Sequence, residues 1–339
     1  MGTSDTLFSY RRKSNFSSKF LFAFVLLVCI ASWGIAYEAS VGFPLNNHQS
    51  PTFLWIKMSG LLHNKEAAYS IGILLLFAGA FIIRHVTYNL SLIAERTRVP
   101  FLVYLLLSMQ IVAVYPISPA SVGVIPVIYA FYQLMSNYRS YNVKAEVFKG
   151  SFVISFVSLF WVDVLWLYPV FWMGMYLLIP SNFRTYMASF VGIITVYWGL
   201  LGWCVWTKDF SPFVHVVNTL TNISAIHLPY FLWVDWACII FLLILTIMAF
   251  SYIMVQFQNN TQKGRQILKL LVLLSFCTLL LSLILPESSP GFLLITCFPI
   301  SIIMSRVLML KKGKSIRVTF YTSLIIIILL QTIRLWSIL

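Results

Sequence analysis

The chain is short of charge. Asp, Glu, Lys and Arg together make up 9% of its 339 residues, and only nine are acids. A soluble domain carries roughly 25% charged residues. Here 60% of residues are apolar, and no soluble-looking stretch exceeds about 30 residues. Lipid is therefore the solvent for most of the chain. There is no GxxxxGK[ST] run, so ATP is not the direct driver, and HExxH, GxSxG and CxxC are also missing. Cys29, Cys204, Cys238, Cys277 and Cys297 lie in or beside apolar runs and read as small packing residues. No metal site and no cofactor is expected.

What is present is a series of apolar runs. A helix needs about 20 apolar residues to cross a bilayer. Runs near 20–37, 67–87, 99–114, 119–137, 145–161, 164–179, 185–206, 229–256, 267–285, 289–310 and 317–335 predict an all-α, polytopic integral membrane protein with about eleven transmembrane helices. The pair 145–179 is short for two crossings. It reads as a tight hairpin or as a re-entrant loop, which would leave nine crossings plus a re-entrant pair. Residues 1–19 form a basic cytoplasmic amino terminus, and 20–339 form one membrane-embedded domain. Arg11-Arg12-Lys13 precedes a first run that reads as a retained anchor.

The net charge of +14 is scattered among short loops, which excludes a nucleic-acid face and gives an orientation signal instead. With the amino terminus inside, only Lys57, Lys65, Lys208 and Arg334 of the 23 bases fall outside. The acids Glu38, Glu66, Asp163, Asp209, Asp235 and Glu287 fall on or near the outer side. This predicts a bacterial inner-membrane protein with a cytoplasmic amino terminus and an external carboxyl terminus.

Two outer loops, 38–66 and 207–228, carry interfacial helices in this reading. In the second, Phe210, Phe213, Val214, Val217 and Leu220 recur at helical spacing, with His215, Asn218, Thr219 and Asn222 on other faces.

Charges inside spans are costly, about 2.5–3.5 kcal/mol at the centre on insertion scales. Arg84, Lys269 and Arg306 lie near inner ends and are expected to reach the headgroups. Asp163 is too short to do so. It sits at the turn of the short pair and is either a helix N-cap or a functional carboxylate. Asp235 lies roughly two turns into its span. Glu38 closes the first. His48, His63 and His215 join the outer-face group, without metal-ligand spacing.

The segments Tyr88-Asn89-Leu90, Val99-Pro100-Phe101-Leu102-Val103-Tyr104-Leu105, Phe148-Lys149-Gly150-Ser151-Phe152, Ser158-Leu159-Phe160 and Met175 through Arg184 resemble a family of uncharacterised polytopic membrane proteins from Bacteroidota. The resemblance covers roughly the first 210 residues and implies no activity. The same half is similar in layout to the membrane module of the glycosyltransferase C superfamily, in which an acid just after the first span is catalytic. Glu38, in Ile35-Ala36-Tyr37-Glu38-Ala39, is the matching residue. No large outer domain is expected after the last span.

Three functions follow. The first is a transferase acting on a polyprenyl-phosphate-linked sugar at the outer face. Glu38 and Asp163 would be its catalytic acids, with Lys57, Lys65, Lys208, His48, His63, His215 and Asp235 binding substrate. The second is a non-enzymatic subunit of an envelope complex, partnered by lipids and other membrane subunits. The third is a transporter or lipid flippase, although no span carries the several acids of a proton-coupled pump.

Overall fold

A computed structural model describes residues 19–333 except 42, 44, 46–51, 63, 94–96, 112–113, 141–142, 181, 222–232, 256–260 and 311–321. The described residues form helices and no strand. These are α1 (Lys19–Glu38), α2 (Phe53–Leu61), α3 (Lys65–Asn89), α4 (Val99–Ser108), α5 (Pro119–Ser136), α6 (Lys144–Ser158), α7 (Tyr168–Leu178), α8 (Phe183–Thr207), α9 (Ser211–Thr221), α10 (Trp233–Val255), α11 (Gln262–Ile284), α12 (Ser289–Leu310) and α13 (Thr322–Ile333). Six of them, α3, α5, α8, α10, α11 and α12, are long and apolar enough to cross a membrane.

Local chemistry sets several helix starts. Ser118 and Ser121 form a reciprocal capping box ahead of α5, with Pro119 in the first turn. Thr261 accepts from the Gly264 N–H to start α11. Ahead of α9, the Asp209 carboxylate accepts from the Ser211 N–H and from its hydroxyl, each at 2.9 Å. Those two bonds hold that carboxyl below its usual range.

Long-range contacts sort the helix ends into two groups. At one end, Thr52 donates to the Phe160 carbonyl, the Ile117 N–H donates to the Ala68 carbonyl, and Lys57 lies over the Trp203 ring. At the other, the Arg139 N–H donates to the Leu178 carbonyl, Asn89 donates to the Tyr132 hydroxyl, and Arg306 donates to the Leu92 carbonyl. We call these the Asp163 end and the Arg84 end. Successive apolar segments alternate between them.

The expected span 99–114 has a different form. Helix α4 is ten residues long. At 1.5 Å per residue it covers about 15 Å, half of a typical hydrocarbon core. Every residue from Val99 to Ser108 is buried. The chain then leaves the helix and reaches Ile117, beside the start of α3, with no α-helix in its described residues. Unpaired backbone at membrane depth survives only inside protein. Here the Tyr115 hydroxyl donates to the Met109 carbonyl at 2.8 Å and accepts from the Gln331 amide at 3.2 Å.

Arg306 also departs from expectation. It is 9% exposed, and its guanidinium donates to the Leu92 carbonyl at 2.9 Å instead of reaching outward. The side chain thereby ties α12 to the segment that leads into α4. In the most apolar stretch of α12, 89% of the residues are buried, against 22% in that of α8.

Helices α6, α7 and α8 are joined by hydroxyls. Ser151 pairs with Ser189, Ser155 with Tyr168 and Ser158 with Tyr197, at 2.6, 2.6 and 2.7 Å. Trp172 donates to Ser189. Small residues let such backbones approach. A Cβ on Gly192 would stand 2.9 Å from the Phe148 carbonyl oxygen and from the Ser151 Cβ.

Candidate functional site

At the Asp163 end, the carboxylate is 6% exposed and accepts a hydrogen bond from the Ser288 hydroxyl. That hydroxyl in turn accepts from the Trp161 indole N–H at 3.2 Å. Trp161 is 1% exposed, and its ring centroid lies 5.1 Å from that of Phe292. A 3-10 turn over Val162–Leu167 carries Asp163, and Ser288 closes another at Pro286–Ser288. Sequence spacing allowed a local N-cap for Asp163, but its acceptor role goes to a residue 125 positions away. The group is a closed polar knot that pins the α6–α7 turn to the start of α12.

Helix α9, which carries His215, packs against the turn that carries Asp163. Glu38 is exposed at the end of α1. Lys65 donates to Ser40 at 2.8 Å and lies 4.3 Å from the Tyr37 ring centroid. Lys57 is 5.3 Å from the Trp203 ring centroid. Lys208 is exposed where α8 ends, at a positive φ of 54°. His215 is half-buried on α9, and Asp235 is half-buried in the first turn of α10. His48 and His63 lie outside the described residues. Among the described residues, no three His, Cys, Asp or Glu side chains come close enough to hold a metal.

Among the described residues, two gaps between the helices are small. The gap bordered by Gly72, Tyr104, Ser121 and Leu294 is about 10 Å³, and another near Val103, Leu245 and Leu308 is about 20 Å³. Each is on the scale of a single water. Two larger spaces lie at the periphery. One, of about 380 Å³, is an apolar groove between α10 and α11, bordered by Phe250, Met254, Lys269 and Phe276. The other, of about 420 Å³, is a more polar cavity at the Arg84 end. Neither Glu38 nor Asp163 borders either space.

The polar cavity combines the last two turns of α3 with the start of α4. Arg84, His85, Tyr88 and Asn89 come from the first, and Thr97 and Pro100 from the second. His85 and Asn89 are one turn apart and hydrogen-bonded at 2.8 Å. In the sequence, Arg84 resembles any interfacial base, and Thr97 carries no signal of its own. Only the fold of the short α4 against α3 brings them together.

In class, the fold is that of a multi-helix membrane protein. No family model, curated protein or solved structure matches the chain.

Proposed function

We propose that the protein is a non-enzymatic, multi-pass subunit of an envelope complex in the bacterial inner membrane. The carrying observation is the close packing of the described helices: α4 and α12 are enclosed, and two gaps between them and their neighbours are water-sized. A transferase needs its acids at a space that admits substrate. Glu38 is exposed, and Asp163 is engaged by Ser288. A transporter needs a polar route between the two ends, and the acids Asp163 and Asp235 both belong to the outer side in this reading.

The chain crosses eleven times in this proposal, with the interrupted segment 99–118 counted as one crossing. The amino terminus is cytoplasmic, so the Arg84 end faces the cytosol and the Asp163 end faces out. The basic loops support this orientation. Helix α8 is the face offered to a partner: Trp198 is 74% exposed, and Gly199 and Gly202 meet no atom within 4 Å where a Cβ would stand.

The test is native sizing after mild solubilisation, combined with a photoreactive residue at position 198 in living cells. A discrete larger species and a protein adduct at position 198 are expected. A chain that migrates alone, with adducts to lipid only, refutes the proposal.

A further inference from the structure

The cavity at the Arg84 end has the chemistry of an anion site. Arg84 is half-buried, and no hydrogen-bond or ion-pair partner for its guanidinium exists among the described residues. Holding a guanidinium away from bulk water without a counter-charge is costly. Thr97 supplies a second, independent signal. It is 8% exposed, borders the same cavity, and its hydroxyl has no hydrogen-bond partner. Buried hydroxyls without partners are uncommon in folded proteins.

A third contribution comes from the backbone. Helix α4 begins at Val99, and Pro100 borders the cavity, so the positive end of the α4 dipole lies at its wall. No carboxylate is present among the described bordering residues. Glu95 and Arg96 lie outside the described residues.

The surroundings identify the source of the anion. Phe81 and Ile93 give the cavity an apolar side, and Phe81 is 56% exposed on the surface of α3. A volume of about 420 Å³ falls within the range of small-molecule sites. A polar, cationic floor beside an exposed apolar helix face, at the end of a membrane-crossing helix, matches a lipid whose headgroup enters while its chains run along the helix.

We infer that this cavity binds the phosphate of an anionic lipid headgroup. Arg84 supplies the charge, the Thr97 hydroxyl a hydrogen-bond donor, and the α4 N-terminus positive potential. The site goes beyond the subunit reading and does not depend on it.

The test uses the purified full-length chain in detergent and phosphatidic acid carrying a photoreactive acyl chain. Adducts are expected between residues 81 and 100 and should be displaced by unlabelled phosphatidic acid. Arg84→Gln should weaken binding about tenfold, and Thr97→Val, which preserves shape, about threefold or more. Arg84→Lys should retain part of the affinity. Arg184→Gln, an exposed base at the start of α8, should bind as the parent does. Equal displacement by phosphatidylcholine overturns the inference, as does undiminished binding by Thr97→Val and Arg84→Lys together with Arg84→Gln. Displacement by inorganic phosphate at matched concentration assigns the site to a free anion and overturns the lipid source. Should Arg84→Gln fail to fold, Thr97→Val and Arg84→Lys decide the matter.

Discussion

Gly291 offers the sharpest test of the packing at the Asp163 end. A Cβ built there would stand 2.6 Å from Cζ2 and 2.7 Å from Cη2 of Trp161, and 2.8 Å from the Ala120 Cβ. Trp161 has no room to yield: it is 1% exposed, bonded to Ser288 and packed on Phe292. Overpacking of this kind costs about 1–3 kcal/mol. Exchanging glycine for alanine within a helix returns about 0.5–1 kcal/mol. Taking the middle of each range, Gly291→Ala should destabilise the protein by about 1 kcal/mol. Trp161→Phe removes the ring atoms that collide. In that background the 2.8 Å approach to the Ala120 Cβ remains, so the cost of Gly291→Ala should fall towards neutral without reversing sign, giving a coupling of about 1 kcal/mol in a double-mutant cycle. The assay is reversible unfolding in mixed micelles of a mild detergent and sodium dodecyl sulfate. A neutral Gly291→Ala in the parent, or equal costs in both backgrounds, refutes the account of Trp161 as an immovable wall.

Three further outcomes are expected. Arg306→Met leaves the Leu92 carbonyl without its cationic donor, so stability should fall by about 1.5–3 kcal/mol and amide exchange over residues 92–99 should accelerate; unchanged exchange would remove Arg306 from its tethering role. Asp163→Asn keeps an acceptor for Ser288 and should cost about 1 kcal/mol, whereas Asp163→Leu should cost about 2–3 kcal/mol; two stable variants that abolish a biochemical activity would instead restore the catalytic reading of Asp163. A membrane-impermeant lysine reagent applied to intact cells should modify Lys57 and Lys208 and spare Lys263 and Lys312 until the membrane is breached; early modification of Lys263 or Lys312 would overturn the orientation.

The apolar runs of the sequence locate the helices well, because hydrophobic length is a local property. Helices α8, α10, α11 and α12 lie within a few residues of the runs that predict them. The run 99–114 misleads for a physical reason. Its composition is that of a span, but Met109 and Gln110 leave the helix because surrounding helices enclose them there. Apolar composition records burial, and it does not distinguish burial in lipid from burial in protein. Asp163 stood out as a costly charge, but its partner Ser288 lies in Pro286-Glu287-Ser288-Ser289, which gives no hint of a contact across 125 residues. The Arg84 cavity was illegible for the same reason, since Thr97 gains its meaning only from the approach of α4 to α3.

The half-length α4 also constrains how the chain can be made. A helix of ten residues is too short to rest stably across a bilayer by itself, so this segment has no membrane-spanning state of its own to wait in. Its shelter includes α12, which is translated nearly two hundred residues later. Until α12 arrives, the nascent protein carries an unfinished seam.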